Sequence, residues 1–448
     1  MATIAPGAAA PATSRIGTAL PDSTVDRRRS RLFVHLALIS CLCLQRFGLV
    51  IGGGTIFFSL PLFLALIGLM LVSGYGRIRM VPLFVFGLFA LEGLIATLVA
   101  INVPETRQQL SILSLFSLLS IYLCLLVGPS GRFNRDDVID IFLFYVRLCA
   151  VLGIAQYLLQ FVGVRIFSFM LTFPALNPIL IESLYNYNPI LSYGSSIIRS
   201  NGFFLIEPSV FSQLLALGMA VEFFLKRQLK YLPLYAVAYL FSFSGTGLLA
   251  LGLSIGILML ADRRYTVRVL LFVLALAALA TIAAFVFPDQ FASLAGRAGE
   301  ASYSGSSGYA RYFAQFEFIG QYTDKTRSLI GFGPGSMERS GFFFTGSGNP
   351  ALKLFIDYGI IGSILFATFM VISCWRRDIA IISIFCLVNF QMGGGNLLFP
   401  PLIILIAILC VWSGDPDQAA ARQGSALNHP KSRAARSSAP IRPVSTTQ

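Results

Sequence analysis

MVPLFVFGLFALEGLIATLVAI, residues 80–101, is an apolar run of 22 residues. As a helix it covers about 33 Å at ~1.5 Å per residue, enough to cross a hydrocarbon core of about 30 Å. Runs of the same kind recur along the chain, near 32–49, 54–73, 109–128, 139–162, 203–225, 231–243, 244–261, 266–287, 350–374, 378–391 and 397–413. The composition agrees, with 56% of residues hydrophobic and 12% charged, against roughly 45–50% and 25% in soluble domains. In water a chain of 448 residues with this balance would have too much apolar surface to hide. The expected fold class is therefore an all-α polytopic membrane protein of about twelve transmembrane helices. The seventh and eighth runs are joined through Ser244-Gly245-Thr246-Gly247, which predicts a tight turn or a tilted pair of half-helices.

The formal charge of +13 would suggest nucleic acid in a soluble chain, but the basic residues lie in short segments between apolar runs, where they set topology. No nucleic-acid partner is implied. With the N-terminus inside, the segments left on the cytoplasmic side hold Arg77 and Arg79, Arg132 and Arg135, Lys226, Arg227 and Lys230, Arg263, Arg264 and Arg268, and Arg376 and Arg377. Together with the two tails they hold 22 of the 33 Lys and Arg; Arg147 falls within a span. Residues 1–31, ending in Arg27, Arg28, Arg29 and Arg31, and residues 414–448 are Ala-, Ser- and Pro-rich and basic. Both read as disordered cytoplasmic tails flanking a membrane domain over 32–413, and 1–31 lacks the order of features of a signal peptide. The seven cysteines all fall in apolar runs and the chain has only two His, which supports neither a disulfide framework nor a zinc site.

Two external segments are long, 163–202 and 288–349, and loops of that size are functional or disordered. They carry Arg165, Arg199, Arg297, Arg311, Lys325, Arg327 and Arg339, so the working face is expected on the outside. Two constellations stand out. The first is RSNGFFLIEPSVFSQLL from residue 199, in which Glu207 and Pro208 lie inside a span. A carboxylate there marks a functional site, or else it pairs with a neighbouring base such as Arg199. The second is GRAGEASYSGSSGYARYFAQFEF from residue 296, with Arg297, Glu300 and Arg311, followed by SLIGFGPGSMERSGFFF and GNPALKLFIDYGIIGS. Gly331, Gly333 and Gly335 allow a tight turn close to a ligand or form an ordinary turn, since no phosphate-loop Lys follows them. Arg311 offers a permanent, bidentate charge suited to phosphate.

The order of these features resembles the O-antigen ligase and polysaccharide polymerase superfamily of bacterial inner membranes. The resemblance rests on Arg199 with Gly202-Phe203-Phe204 and Glu207-Pro208, the break at 244–247, Arg311 in a late external loop, Gly331-Phe332-Gly333, and Asn349 with Asp357-Tyr358-Gly359 and Gly362. It implies a helical membrane glycosyltransferase scaffold with periplasmic loops at 163–202 and 288–349. It also implies a polyprenyl-diphosphate-linked oligosaccharide as donor, no cofactor or metal, and a flippase and a chain-length regulator as working partners. Ligase members carry a His just before the Asn, whereas here Gly348 precedes Asn349, which favours a polymerase. On this reading Glu207 orients or deprotonates the acceptor, Arg199 and Arg311 clamp the diphosphate, and Arg297, Glu300, Gly333, Asn349 and Asp357 contact substrate. A developing diphosphate charge is what paired arginines stabilise. The alternatives are a ligase using another acceptor, and a twelve-helix transporter or flippase, for which ADRRYTVR at 261–268 weakly resembles a loop motif of major facilitator proteins.

Overall fold

The computed structural model describes residues 23–51, 54–103, 110–181, 190–191, 195–296, 309, 325–339 and 348–413. These are mostly helical. The longer helices are α1 (Ser23–Leu38), α2 (Ser59–Val72), α3 (Met80–Ile101), α4 (Ile112–Tyr122), α5 (Asp136–Leu159), α6 (Pro208–Val221), α7 (Leu232–Ser242), α8 (Thr246–Ala261), α9 (Thr266–Val286), α10 (Pro350–Cys374), α11 (Ala380–Met392) and α12 (Pro400–Ile406). Two small antiparallel ribbons interrupt them, β1 (Gly48–Ile51) with β2 (Gly54–Phe57) and β3 (Gly76–Ile78) with β4 (Val127–Pro129).

This is a helical membrane protein, but twelve crossings are not what the helix lengths give. Among the described residues five helical segments are long and apolar enough to span: Met80–Ile101, Asp136–Val162, Pro208–Lys226, Arg263–Val286 and Pro350–Cys374. Others are apolar but shorter, such as Ser59–Val72 and Thr246–Ala261; even the 16 residues of α8 reach only about 24 Å as a straight helix. The reason is local. The first predicted span, 32–49, ends as helix at Cys43 and turns into the β1–β2 ribbon, and the last begins with a turn of 3₁₀ helix at Asn396–Leu398 before Pro400 starts α12.

The basic segment before Leu32 also differs from its reading as a tail, because α1 begins at Ser23. Arg27 grips Asp137 at the start of α5 through two hydrogen bonds of 2.9 and 2.8 Å, and Arg31 lies 3.6 Å from the same carboxylate. Residues 1–22 and 414–448, the rest of the expected tails, lie outside the described residues. Within the two long loops, residues Phe169–Thr172, Pro288–Gly296 and Lys325–Ile330 are helical.

The core is built by aromatic and small residues at the helix crossings. Phe366 of α10 sits with its ring 5.1 Å from Phe89 of α3, 4.8 Å from Tyr122 of α4 and 6.3 Å from Phe390 of α11. Arg147, placed within a span by sequence, satisfies its charge on the fully buried Glu222 at 2.5 and 3.0 Å, and its guanidinium lies 3.7 Å from the Tyr231 ring. The break at 244–247 is a tight turn: α7 ends at Ser242, Phe243 takes a left-handed φ of 45°, and α8 starts at Thr246. Ser244 and Thr246 hydroxyls lie 3.2 and 3.1 Å from Ser212 Oγ of α6.

Gly247 is where α8 meets α6 backbone to backbone; a Cβ there would lie 2.2 Å from the Ser212 carbonyl oxygen. Gly247→Ala should therefore destabilise the protein by about 1–3 kcal/mol or more, as overpacking does. Gly252→Ala, in the same helix with nothing within 4 Å, should be neutral or mildly stabilising. Melting temperatures in detergent compare the two.

Candidate functional site

The stretch from Ile198 to Phe211 is held by two amides one turn apart, Gln156 in α5 and Gln160 just past its end. Gln160 exchanges two hydrogen bonds with the backbone of Ile198, accepting from its N–H at 2.9 Å and donating to its carbonyl at 3.2 Å. Gln156 accepts from Asn201 N–H at 3.1 Å and donates to Asn201 Oδ1 at 3.0 Å and to the Ile166 carbonyl at 2.7 Å. Ser200 donates its hydroxyl to the Gly153 carbonyl and its N–H to the Phe241 carbonyl, each at 2.9 Å. Arg199 thus stands between two anchored residues, its backbone fixed on both sides. Buried amides left without partners are expensive, so this pairing specifies one position for the segment.

Beyond the anchor the chain turns sharply. Gly202 and Phe203 have φ of 71° and 69°, two consecutive left-handed residues of which only the first is glycine. Such strain in a bulky residue persists only where surroundings over-determine it, and it collects at functional sites. The Phe203 ring packs on Phe169, 5.3 Å away, and the Phe211 ring leaves no room for a side chain beside it: a Cβ on Gly202 would lie 2.6 Å from that ring, and one on Gly153 would lie 2.5 Å from it. Glu207 then sits extended at the N-cap position of α6, with Pro208 as its first helical residue, an arrangement proline favours. The Glu207 carboxylate accepts from the Ser209 hydroxyl at 2.5 Å. Sequence reading placed Glu207 inside a span; it lies at the end of one.

A cation that sequence reading passed over completes this side. Arg46 is fully buried and donates to the Leu205 carbonyl at 3.1 and 2.7 Å and to the Phe167 carbonyl at 3.1 Å, with its guanidinium 4.7 Å from the Phe169 ring. It staples the 166–169 and 205–207 segments together. The only available signal was a charge at the end of an apolar run. Next to Leu205 opens a shallow cleft with about 40 Å³ of internal room, lined by apolar residues including Leu214, Phe385 and Phe399 and by the amides of Gln45, Gln213, Asn389 and Asn396.

The second constellation folds on one carboxylate. Asp357 is fully buried and accepts from Gly335 N–H at 3.1 Å, Met337 N–H at 3.0 Å and Lys353 Nζ at 3.0 Å. Its carbonyl accepts from Gly333 N–H at 3.0 Å, and the Ile356 carbonyl accepts from Phe332 N–H at 2.8 Å. Lys353 also pairs with Glu338. Gly331, Gly333 and Gly335 all have left-handed φ, of 89°, 95° and 77°, the conformation that requires glycine. The loop can wrap this closely because α10 is kinked at Gly359, with φ 64° and ψ −167°. Asn349 caps α10 by accepting from Leu352 N–H at 2.9 Å.

Gly333 and Asp357 are thus brought together, but with each other. The N–H groups of residues 333, 335 and 337 are spent on Asp357, so the glycines form a turn, and the acidic side chain that pins them is enclosed. Among the described residues no hydrogen bond links this cluster to the Arg199–Glu207 segment; α11 lies between, with Asn389 on the cleft and Gln391 accepting from Ala351 N–H at 3.1 Å at the start of α10. Arg297, Glu300 and Arg311 lie outside the described residues.

Asp357→Ala takes one of its two acids from the buried Lys353 ammonium and strands the N–H groups of Gly335 and Met337, and should cost about 3–5 kcal/mol, as breaking a buried pair does. Adding Lys353→Met should recover part of that loss, a sign of coupling that chemical denaturation of the two single variants and the double variant resolves. Compared with family models, curated proteins and solved structures, the chain matches none.

Proposed function

We propose that this protein is a membrane glycosyltransferase that polymerises a lipid-linked glycan. It transfers the growing chain from its polyprenyl diphosphate to an incoming lipid-linked repeat unit at the external face of the inner membrane, with both termini in the cytoplasm. The observation that carries the reading is the anchored Arg199 segment: a cation with its backbone fixed by Gln156 and Gln160, followed by the strained Gly202-Phe203 turn and by Glu207 at the open end of α6. A preorganised cation stabilises charge that develops on a leaving diphosphate. A carboxylate at a helix end can orient or deprotonate an acceptor hydroxyl.

In this mechanism the anomeric bond to the diphosphate breaks as the acceptor oxygen attacks, the acceptor proton passes to Glu207, and the polyprenyl diphosphate leaves as the anion held by Arg199 and Arg311. Asp357, Gly333 and Asn349 are scaffold for residues 331–337 and the start of α10, and Arg297, Glu300 and Arg311 keep the donor contacts proposed from the sequence. A flippase supplies the repeat units to the outer leaflet, and a chain-length regulator is the partner expected beside the loops. The kink at Gly359 favours one rival, a transporter, since broken helices line transport sites. The lipid-linked glycans that accumulate on removal of the protein separate them: single repeat units on the outer leaflet support a polymerase, finished polymer on lipid a ligase, and units trapped on the cytoplasmic leaflet a flippase.

Arg199→Ala should lower turnover by about 100-fold or more, the loss typical of a preorganised oxyanion donor, with little change in melting temperature. Lys should rescue only in part, because it keeps the charge and loses the planar fork. Arg264→Ala, exposed at the far end of α8, should leave turnover unchanged in the same assay of polymer formation.

A further inference from the structure

Glu92 is the one charged residue of α3 and sits at its middle, thirteenth of 22 residues. Its side chain is buried, 8% exposed, and neither carboxylate oxygen has a hydrogen-bond partner among the described residues. It faces α10: a Cβ on Gly362 would lie 2.5 Å from Glu92 Oε2, so glycine at that position is what makes room for the carboxyl group. The titratable groups of the packed elements are few. From α10 come Tyr358, against which Gly93 packs, its neighbour Asp357, and Lys353, which bonds both Asp357 and Glu338. From α4 there is Tyr122, whose hydroxyl donates to the Leu397 carbonyl. No cation among these bonds Glu92.

An ionised carboxylate at that depth without a counter-charge is among the costliest arrangements a membrane protein can hold. A proton removes the charge and needs no coordination shell, whereas a metal ion needs several oxygen ligands. We infer that Glu92 is an intramembrane proton-binding site, and that its neutral form seats the second half of α10 on α3. The hinge for any movement is present three residues from Gly362, at Gly359, where α10 is already broken and where a Cβ would lie 2.3 Å from the Leu329 carbonyl oxygen. Loss of the proton would press a charge into the α3–α10 contact and drive the two apart at that hinge. The same hinge carries the loop pinned by Asp357, so the proton reports to the second constellation. This inference stands independently of the polymerase reading.

The test is thermal unfolding of the purified protein in detergent from about pH 5 to 8, for wild type and Glu92→Gln. The folded state holds a proton that an exposed Glu releases near its ordinary range, so stability is greatest at low pH and falls as pH rises. The wild type should lose stability relative to Glu92→Gln, by up to about tenfold in the unfolding equilibrium per pH unit, while the Gln variant follows only the remaining groups. The infrared difference between the two proteins at neutral pH should contain the carbonyl band of a protonated carboxylic acid. Parallel melting curves, a carboxylate band in place of the acid band, or a sodium-dependent shift of the wild type alone would each overturn the inference. So would failure of Glu92→Gln to fold, since Gln is the neutral isostere that this site must accept.

Discussion

The buried carboxylate of Asp357 is the constraint around which the α10 half of the molecule is arranged. Placing a carboxylate in the interior of a membrane protein demands donors, and here the chain supplies them from a loop of three left-handed glycines and from Lys353 one turn away. Each partner is in turn committed: the glycines must remain glycine, Lys353 must keep Glu338 as its second acid, and α10 must break at Gly359 to admit the loop. The fold around residues 325–360 is therefore specified by polar satisfaction rather than by apolar packing, which in hydrocarbon gives little preference for one helix partner over another.

The opposite side uses neutral polar groups to the same end. Gln156 and Gln160 convert the irregular chain at 198–201 into a fixed platform, and Arg46 binds the carbonyls that a break in helical structure at 167 and 205 leaves open. Irregular backbone at membrane depth survives only when protein or a water-filled cavity satisfies it. Here Gln156, Gln160 and Arg46 satisfy it. The two sides meet across α11, whose Asn389 and Gln391 touch one each.

Helicity and membrane character were legible from apolar runs such as 80–101, and so was a turn at Gly331, Gly333 and Gly335. Span count was not, because hydropathy averages over turns: it cannot see that the chain leaves helix after Cys43 to form a ribbon, or that Arg27 finds Asp137 over a hundred residues away. Glu92 and Arg46 carried the same signal as Glu207, an ionisable group in an apolar run, yet they lacked a neighbouring motif to draw attention. Asp357 was legible as a special residue and its role was not, since a carboxylate that holds a loop and one that holds a substrate look alike until the donors around it are known.

On the proposed reading, the anchored Arg199 segment serves glycan transfer from a lipid diphosphate. Its most direct measurement is reconstitution of the purified protein in vesicles with a polyprenyl-diphosphate-linked repeat unit as the sole glycan. A polymerase should give a ladder of lipid-linked oligomers with one polyprenyl diphosphate released per bond formed. Movement of the intact repeat unit between leaflets with no oligomer and no released diphosphate would contradict it.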